Sequence, residues 1–203
     1  MRELVASVNV TLDGFMAGPD GSLDWHFKYW DSQLCESLCR QLARADTILL
    51  GARTYEAFAN YWPAKANDLL MAKEDIVMAE LMNRHTKAVV SKSIHLTPWC
   101  NTILLKGKLK KEIDRLKAQP GRDIIVLGSG QLVSSLMKLN LVDRYELWVH
   151  PVVISTGKSL FPTLSHNLPM RLTNTQVFSS GIVRLSYAYE KACKQMPVVG
   201  LSA

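Results

Sequence analysis

Leu49-Leu50-Gly51-Ala52-Arg53-Thr54-Tyr55-Glu56 and Val126-Leu127-Gly128-Ser129-Gly130-Gln131 each run from an apolar stretch into glycine and then into a predicted helix. A helix start leaves its first N–H groups without intrahelical partners and carries a partial positive charge, and glycine lets a ligand approach the backbone closely. One such junction is ordinary turn geometry after a buried strand. Two in one chain suit a diphosphate nucleotide, with Gly51, Arg53, Thr54, Gly128, Ser129, Gly130 and Gln131 as the candidate contacts.

Outward from these junctions, strands and helices alternate. A strand is predicted over 3–10, followed by a loop with Asp13, Gly14, Gly18, Asp20 and Gly21. A helix over 31–44 has Leu34, Leu38 and Leu42 on one stripe and Asp31 as its N-cap. Strand 47–50 leads to a short helix that starts near Thr54 and closes at Trp62-Pro63. A helix within 68–83, strands 87–91 and 101–105, a basic amphipathic helix after Lys106, strand 123–127 and helix 131–139 complete the middle. Toward the C-terminus, 144–154 reads as one long strand, and 171–178 pairs with 182–189 across Ser179-Ser180-Gly181 as a hairpin. This order describes an α/β sheet, mostly parallel, with antiparallel strands at one edge. Ligands in such sheets bind at the carboxyl ends of the strands, where both glycine junctions fall.

The chain has 203 residues, 48% of them hydrophobic and 21% charged, enough for one domain with a sizeable core. No apolar run approaches the roughly 20 residues of a membrane helix, and Met1-Arg2-Glu3 leads straight into a strand, so a cytoplasmic location is expected. Cys35, Cys39, Cys100 and Cys193 lack CxxC spacing and are expected as reduced thiols, with no metal. The net charge is +6 and the isoelectric point about 9.2. The basic stretch at Lys106–Lys117 carries no interleaved aromatics, so it reads as a solvated helix face and nucleic acid is not expected.

Six segments in order then resemble the dihydrofolate reductase-like fold, and within it the reductase domain of the bacterial riboflavin-biosynthesis deaminase-reductase. They are 7–18 (SVNVTLDGFMAG), Ser22-Leu23-Asp24-Trp25, the Gly51 junction, Val89-Val90-Ser91, the Val126–Gly130 junction, and Glu146–Val152 leading to Gly157. The resemblance implies a single three-layer domain over 1–192, with helices on both faces of the sheet and a tail at 193–203. It implies a nicotinamide cofactor: Gly51, Arg53 and Thr54 on phosphates, Gly128, Ser129 and Gly130 on the diphosphate and nicotinamide ribose, and Ser91 and Lys92 on the adenosine side. An extra ribose phosphate prefers cations and hydroxyls, which favours NADPH, although Ala52 stands where the family commonly has arginine.

The activity this implies is hydride delivery to a pteridine-like or ribosylaminopyrimidine heterocycle, as in 5-amino-6-(5-phosphoribosylamino)uracil reduction. Folate reduction and a catalytically silent nucleotide-binding module are the alternatives. The zinc motif of the deaminase half is absent. The loop 11–21 would lie beside the nicotinamide, with Asp13 and Asp31 as candidate proton donors and turn-forming or helix-capping as their rival roles. Trp25 and Trp30 would pack in the core or line the heterocycle pocket, and His150 reads as a hydrogen-bonded structural histidine. A homodimer is expected through a sheet edge bearing Val149, Val152, Val153 and Ile154.

Overall fold

The computed structural model describes residues 1–65, 72–161 and 167–190. Its strands are β1 (Leu4–Thr11), β2 (Phe15–Ala17), β3 (Ala45–Gly51), β4 (Thr86–Val90), β5 (Thr102–Leu105), β6 (Asp123–Leu127), β7 (Arg144–His150), β8 (Lys158–Ser159), β9 (Met170–Val177) and β10 (Val183–Tyr189). The helices are α1 (Asp24–Phe27), α2 (Ser32–Ala43), α3 (Ala52–Lys65), α4 (Lys73–Arg84), α5 (Leu109–Ala118) and α6 (Gly130–Lys138). Eight strands form one sheet in the order β5-β4-β3-β6-β1-β7-β10-β9. Pairing is parallel from β5 through β7, and antiparallel from β7 to β10 and from β10 to β9. This is the expected α/β architecture.

The central strands are apolar on both faces, which is what a parallel sheet sandwiched between helices requires. Leu4, Ala6, Leu49, Ile124 and Val126 pack on one side with Ile113 and Leu116 of α5 and with Leu132, Val133, Leu136 and Met137 of α6. Neighbours of opposite parity, Ile48, Leu50, Ile125 and Trp148, face Leu34, Leu38 and Leu42 of α2, Tyr55 of α3 and Met78, Leu81 and Met82 of α4. Two cores result, one on each side of the sheet. On the α2 side, β1 turns polar toward its carboxyl end. Ser7 bonds Gln41 (2.8 Å) and receives the Trp148 indole (3.0 Å), and Asn9 reaches His150 (3.1 Å).

The structure departs from the expected elements in four places. Helix α3 starts at Ala52, directly after β3, and runs to Lys65. Pro63 falls in its last turn, where the missing N–H forfeits one ladder bond just as the helix ends. Strand β7 stops at His150, because Pro151 has no N–H to continue the ladder and residues 152–155 bend back over the loop after β1. That strand also lies inside the sheet, between β1 and β10, so the edge is β9 and the expected edge role of 144–154 is corrected. Finally, the loop after β1 is partly ordered as β2, which pairs with β8. The domain end at 192 and the tail 193–203, with Cys193, lie outside the described residues.

A Cβ on Gly157 would strike the main-chain carbonyl of Ala17, which holds β2 in place and cannot rotate away. Gly157→Ala should therefore cost about 1–3 kcal/mol of stability, the usual size of an overpacked site, as read by urea unfolding.

Candidate functional site

All six parallel strands end on one side of the sheet, so Thr11, Gly51, Val90, Leu127 and His150 mark one rim. At its centre the two glycine junctions meet. The hydroxyl of Ser129 accepts hydrogen bonds from the Gly51 N–H (3.0 Å) and from the Thr54 hydroxyl (3.0 Å). Ser129 stands in the left-handed region, φ 60°, immediately after Gly128, which has φ 60° as well. A non-glycine residue rarely adopts this conformation, and such strain persists where surrounding bonds impose it. A Cβ on Gly51 would collide with the Ser129 hydroxyl, so glycine is needed there to admit the bridge.

This bridge divides the predicted contacts. The Gly51 N–H and the Ser129 hydroxyl bond each other, whereas α6 begins without a side-chain cap. Space above Gly128 is open apart from the Thr54 methyl at 3.8 Å, and Gly130 lies under the Met16 thioether. Met16 belongs to β2, so the loop 11–21 is laid against the start of α6. Arg53 and Gln131 are exposed; Arg53 has no hydrogen-bonding or ionic partner among the described residues. Lys92 is likewise exposed. Ser91 is buried, and its hydroxyl accepts from the N–H groups of Ser93 (3.2 Å) and Ile94 (3.1 Å), shaping the turn after β4.

The two candidate carboxylates differ. Asp13 accepts from the Thr11 hydroxyl (2.5 Å) and from the backbone N–H of Ser155 (2.8 Å) and Ile154 (3.2 Å). Chiefly through the Thr11 bond its pKa lies below the usual carboxylate value, so it is a poor acid at neutral pH and acts as the clasp between this loop and residues 152–155. Asp31 caps α2, its Oδ1 accepting from the Leu34 N–H at 2.7 Å. Away from the rim, the Cys35 and Cys39 thiols point to Asp75 Oδ1 (3.5 Å) and the Glu74 carbonyl (3.8 Å), packing α2 on α4.

Beside β1 the structure assembles a group that the sequence did not announce. His150, fully buried, lies with its ring centroid 5.0 Å from Trp25, 5.2 Å from His26 and 5.7 Å from Tyr29. His26 also contacts Trp30 (5.7 Å). Trp25 thus sits at the rim, and half-buried Trp30 both touches His26 and packs against the α2-side core. His26 and Asn9 carry no spacing signal, since their partner His150 is more than a hundred positions away; the aromatic density of 25–30 was the one available hint.

A family model described as the RibD C-terminal domain matches residues 2–184. The uncharacterised protein YyaP of Bacillus subtilis (strain 168) is 32% identical over 186 residues, which cover 92% of this chain and 94% of that protein. Among solved structures, a pyrimidine reductase-like protein from Corynebacterium diphtheriae superposes with a TM-score of 0.65 at 17% identity, covering 94% of this chain and 93% of the other. A diaminohydroxyphosphoribosylaminopyrimidine deaminase/5-amino-6-(5-phosphoribosylamino)uracil reductase from Thermotoga maritima gives 0.66 at 16% identity, over 93% of this chain and 56% of that longer one.

Burial, with a smaller contribution from His26, lowers the His150 pKa from 6.5 to about 4, and burial lowers that of His26 too. The folded chain therefore binds this proton more weakly than the unfolded chain. The corresponding stability is complete above about 6.5 and drains away as pH falls toward 4. Thermal unfolding followed across that window should show a steeper acid loss for the parent than for His150→Phe, which has no proton to take up.

Proposed function

This chain belongs to the RibD C-terminal domain family, and from that premise we propose that it is a cytoplasmic NADPH-dependent reductase acting on a ribosylaminopyrimidine or pteridine-like heterocycle, in the manner of 5-amino-6-(5-phosphoribosylamino)uracil reduction. The observation that carries the reading is the Ser129 bridge. It locks two helix starts side by side at the carboxyl rim, with α6 uncapped and glycine leaving open space above its entry. That donor set fits a dinucleotide diphosphate. Gly128, Gly130 and Gln131 would hold it at the start of α6, with Thr54 beside them. Arg53, exposed and without a partner among the described residues, suits a further phosphate and supports NADPH over NADH, with Ser91 and Lys92 on the adenosine side.

When bound, the nicotinamide supplies the hydride. The chain's own residues position and enclose. The Asp13 clasp and the β2–β8 pair hold the loop 11–21 against Gly130, where it excludes water from the acceptor. The accompanying proton is assigned to Asp31, whose cap bond occupies one oxygen, or to an ordered water. Asp13, held ionised, shapes the loop.

The test is a fluorescence titration with NADPH and NADH, followed by turnover on ribosylaminopyrimidine and pterin substrates. Gly128→Val should abolish nucleotide binding, because its positive φ excludes a branched side chain and the added methyls fill the open space. Gly130 is the weaker probe, since the flexible Met16 thioether can yield. Arg53→Ala should lose about 1.5–3 kcal/mol of affinity for NADPH and less for NADH. A folded Gly128→Val that binds NADPH like the parent refutes the reading.

The reading includes a homodimer. The β7–β10–β9 end of the sheet presents Val183, Leu185 and Tyr187, only half-buried, and β9 leaves Leu172 (50% exposed) and Val177 (73%) open along a free edge. A symmetric partner would cover both copies of that face at once. Light scattering should give twice the monomer mass at micromolar concentration, and Leu172→Glu with Val177→Glu should return it to one.

A further inference from the structure

Among the described residues, Trp25 Nε1, both nitrogens of His26 and His150 Nδ1 are buried without a hydrogen-bond partner. All belong to the one aromatic group at the rim. Its other polar members are satisfied: Tyr29 donates to the Pro151 carbonyl (3.2 Å) and Trp30 to Asp75 (3.2 Å). Buried polar atoms are nearly always paired, so orphans gathered in one place at a ligand-binding rim call for an absent partner.

The chemistry of that partner can be read from the atoms. His150 Nε2 faces the Asn9 side-chain oxygen at 3.1 Å and therefore carries the proton, which leaves Nδ1 as a bare acceptor. Trp25 Nε1 only donates. Neutral His26 offers one donor and one acceptor. Besides burial, only the neighbouring His26 shifts the His150 pKa, and the Tyr29 ring lies against the imidazole. Neutral donors beside a bare acceptor match a cyclic amide edge, N–H beside C=O, and no charged side chain stands among these three residues to favour a phosphate or carboxylate. The cover over these atoms is light. Helix α1 has four residues, none of them fully buried, and no side-chain cap at its start.

We propose that Trp25, His26 and His150 are the specificity residues of this site, hydrogen-bonding the uncharged cyclic amide edge of a pyrimidinone-type ring admitted between α1, which carries Trp25 and His26, and His150 at the end of β7. The proposal rests on the reductase reading for its substrate class.

The probes are 5,6-diaminouracil, which has the amide edge, and quinoxaline, a flat ring without it. With the full chain labelled at histidine nitrogens, 5,6-diaminouracil should shift His150 Nδ1 and His26 resonances in the NMR spectrum, and quinoxaline should not. His150→Phe and Trp25→Phe should each weaken 5,6-diaminouracil about tenfold, the scale of one lost hydrogen bond, and leave NADPH affinity unchanged. Should His150→Phe fail to fold, His26→Phe on the short outer helix gives the same comparison. Unmoved histidine resonances at saturating 5,6-diaminouracil, no binding of it to the parent, or equal binding by the folded variants overturns the proposal. If NADPH binds in those cases, the reductase reading survives its loss. If 5,6-diaminouracil binding depends on these residues and NADPH binds nowhere, the recognition edge stands and the reductase reading falls.

Discussion

Two-sided burial of β1, β3 and β6 is the constraint on which the rest of the molecule depends. A strand whose odd and even residues must both leave water needs a helical layer on each face, and that requirement explains the alternation of elements along the chain. It admits buried polar side chains within these strands only where they are hydrogen-bonded, as Ser7 and Thr47 are. What remains available is the rim at the strand ends, where backbone groups are released from the ladder and helices begin. At the opposite end of the sheet the buried Arg2 guanidinium bonds Asp46 and Thr47, and Lys117 pairs with Asp143 beside the start of β1. Ion pairs thus close that end of the sheet.

Within the rim the Ser129 hydroxyl fixes the distance between two helix starts, and the price is a serine at positive φ. On the other side of β1, the aromatic group around His150 is held neutral by burial. The two helix starts joined by Ser129 and the neutral aromatic group around His150 thus form chemically different surroundings on either side of one strand. Asp13 connects the two halves, since its carboxylate joins the loop after β1 to the chain after β7.

The parts of this arrangement that were legible in the sequence are those written locally. Strand β6 was readable to the residue because a compact apolar run ends at glycine, and the Asp31 cap because its carboxylate precedes a stripe of leucines. Pro151 carries the local signal that ends β7, but the apolar residues beyond it, Val152 to Ile154, continue the strand-like pattern past it. Strands β2 and β8 are too short to carry a period. The Ser129 bridge and the His26–His150 contact join residues 78 and 124 positions apart in the chain, so no window along the sequence contains them. Asp13 shows the same limit from another side. Asp before Gly signalled a turn, but only the three donors around the carboxylate reveal that it stays ionised.

The central position of β1 has a consequence for how the chain is made. Its neighbours are β6 and β7, which begin at Asp123 and Arg144, and registers such as Leu4 with Ile124 and Val5 with Arg144 span most of the domain. On the ribosome β1, with Leu4, Ala6, Val8 and Val10 along one face, therefore has no partner until about three fifths of the 203 residues have been synthesised. At about 5–20 residues per second that wait lasts several seconds or longer, during which an unpaired apolar strand is exposed to other nascent chains and to chaperones.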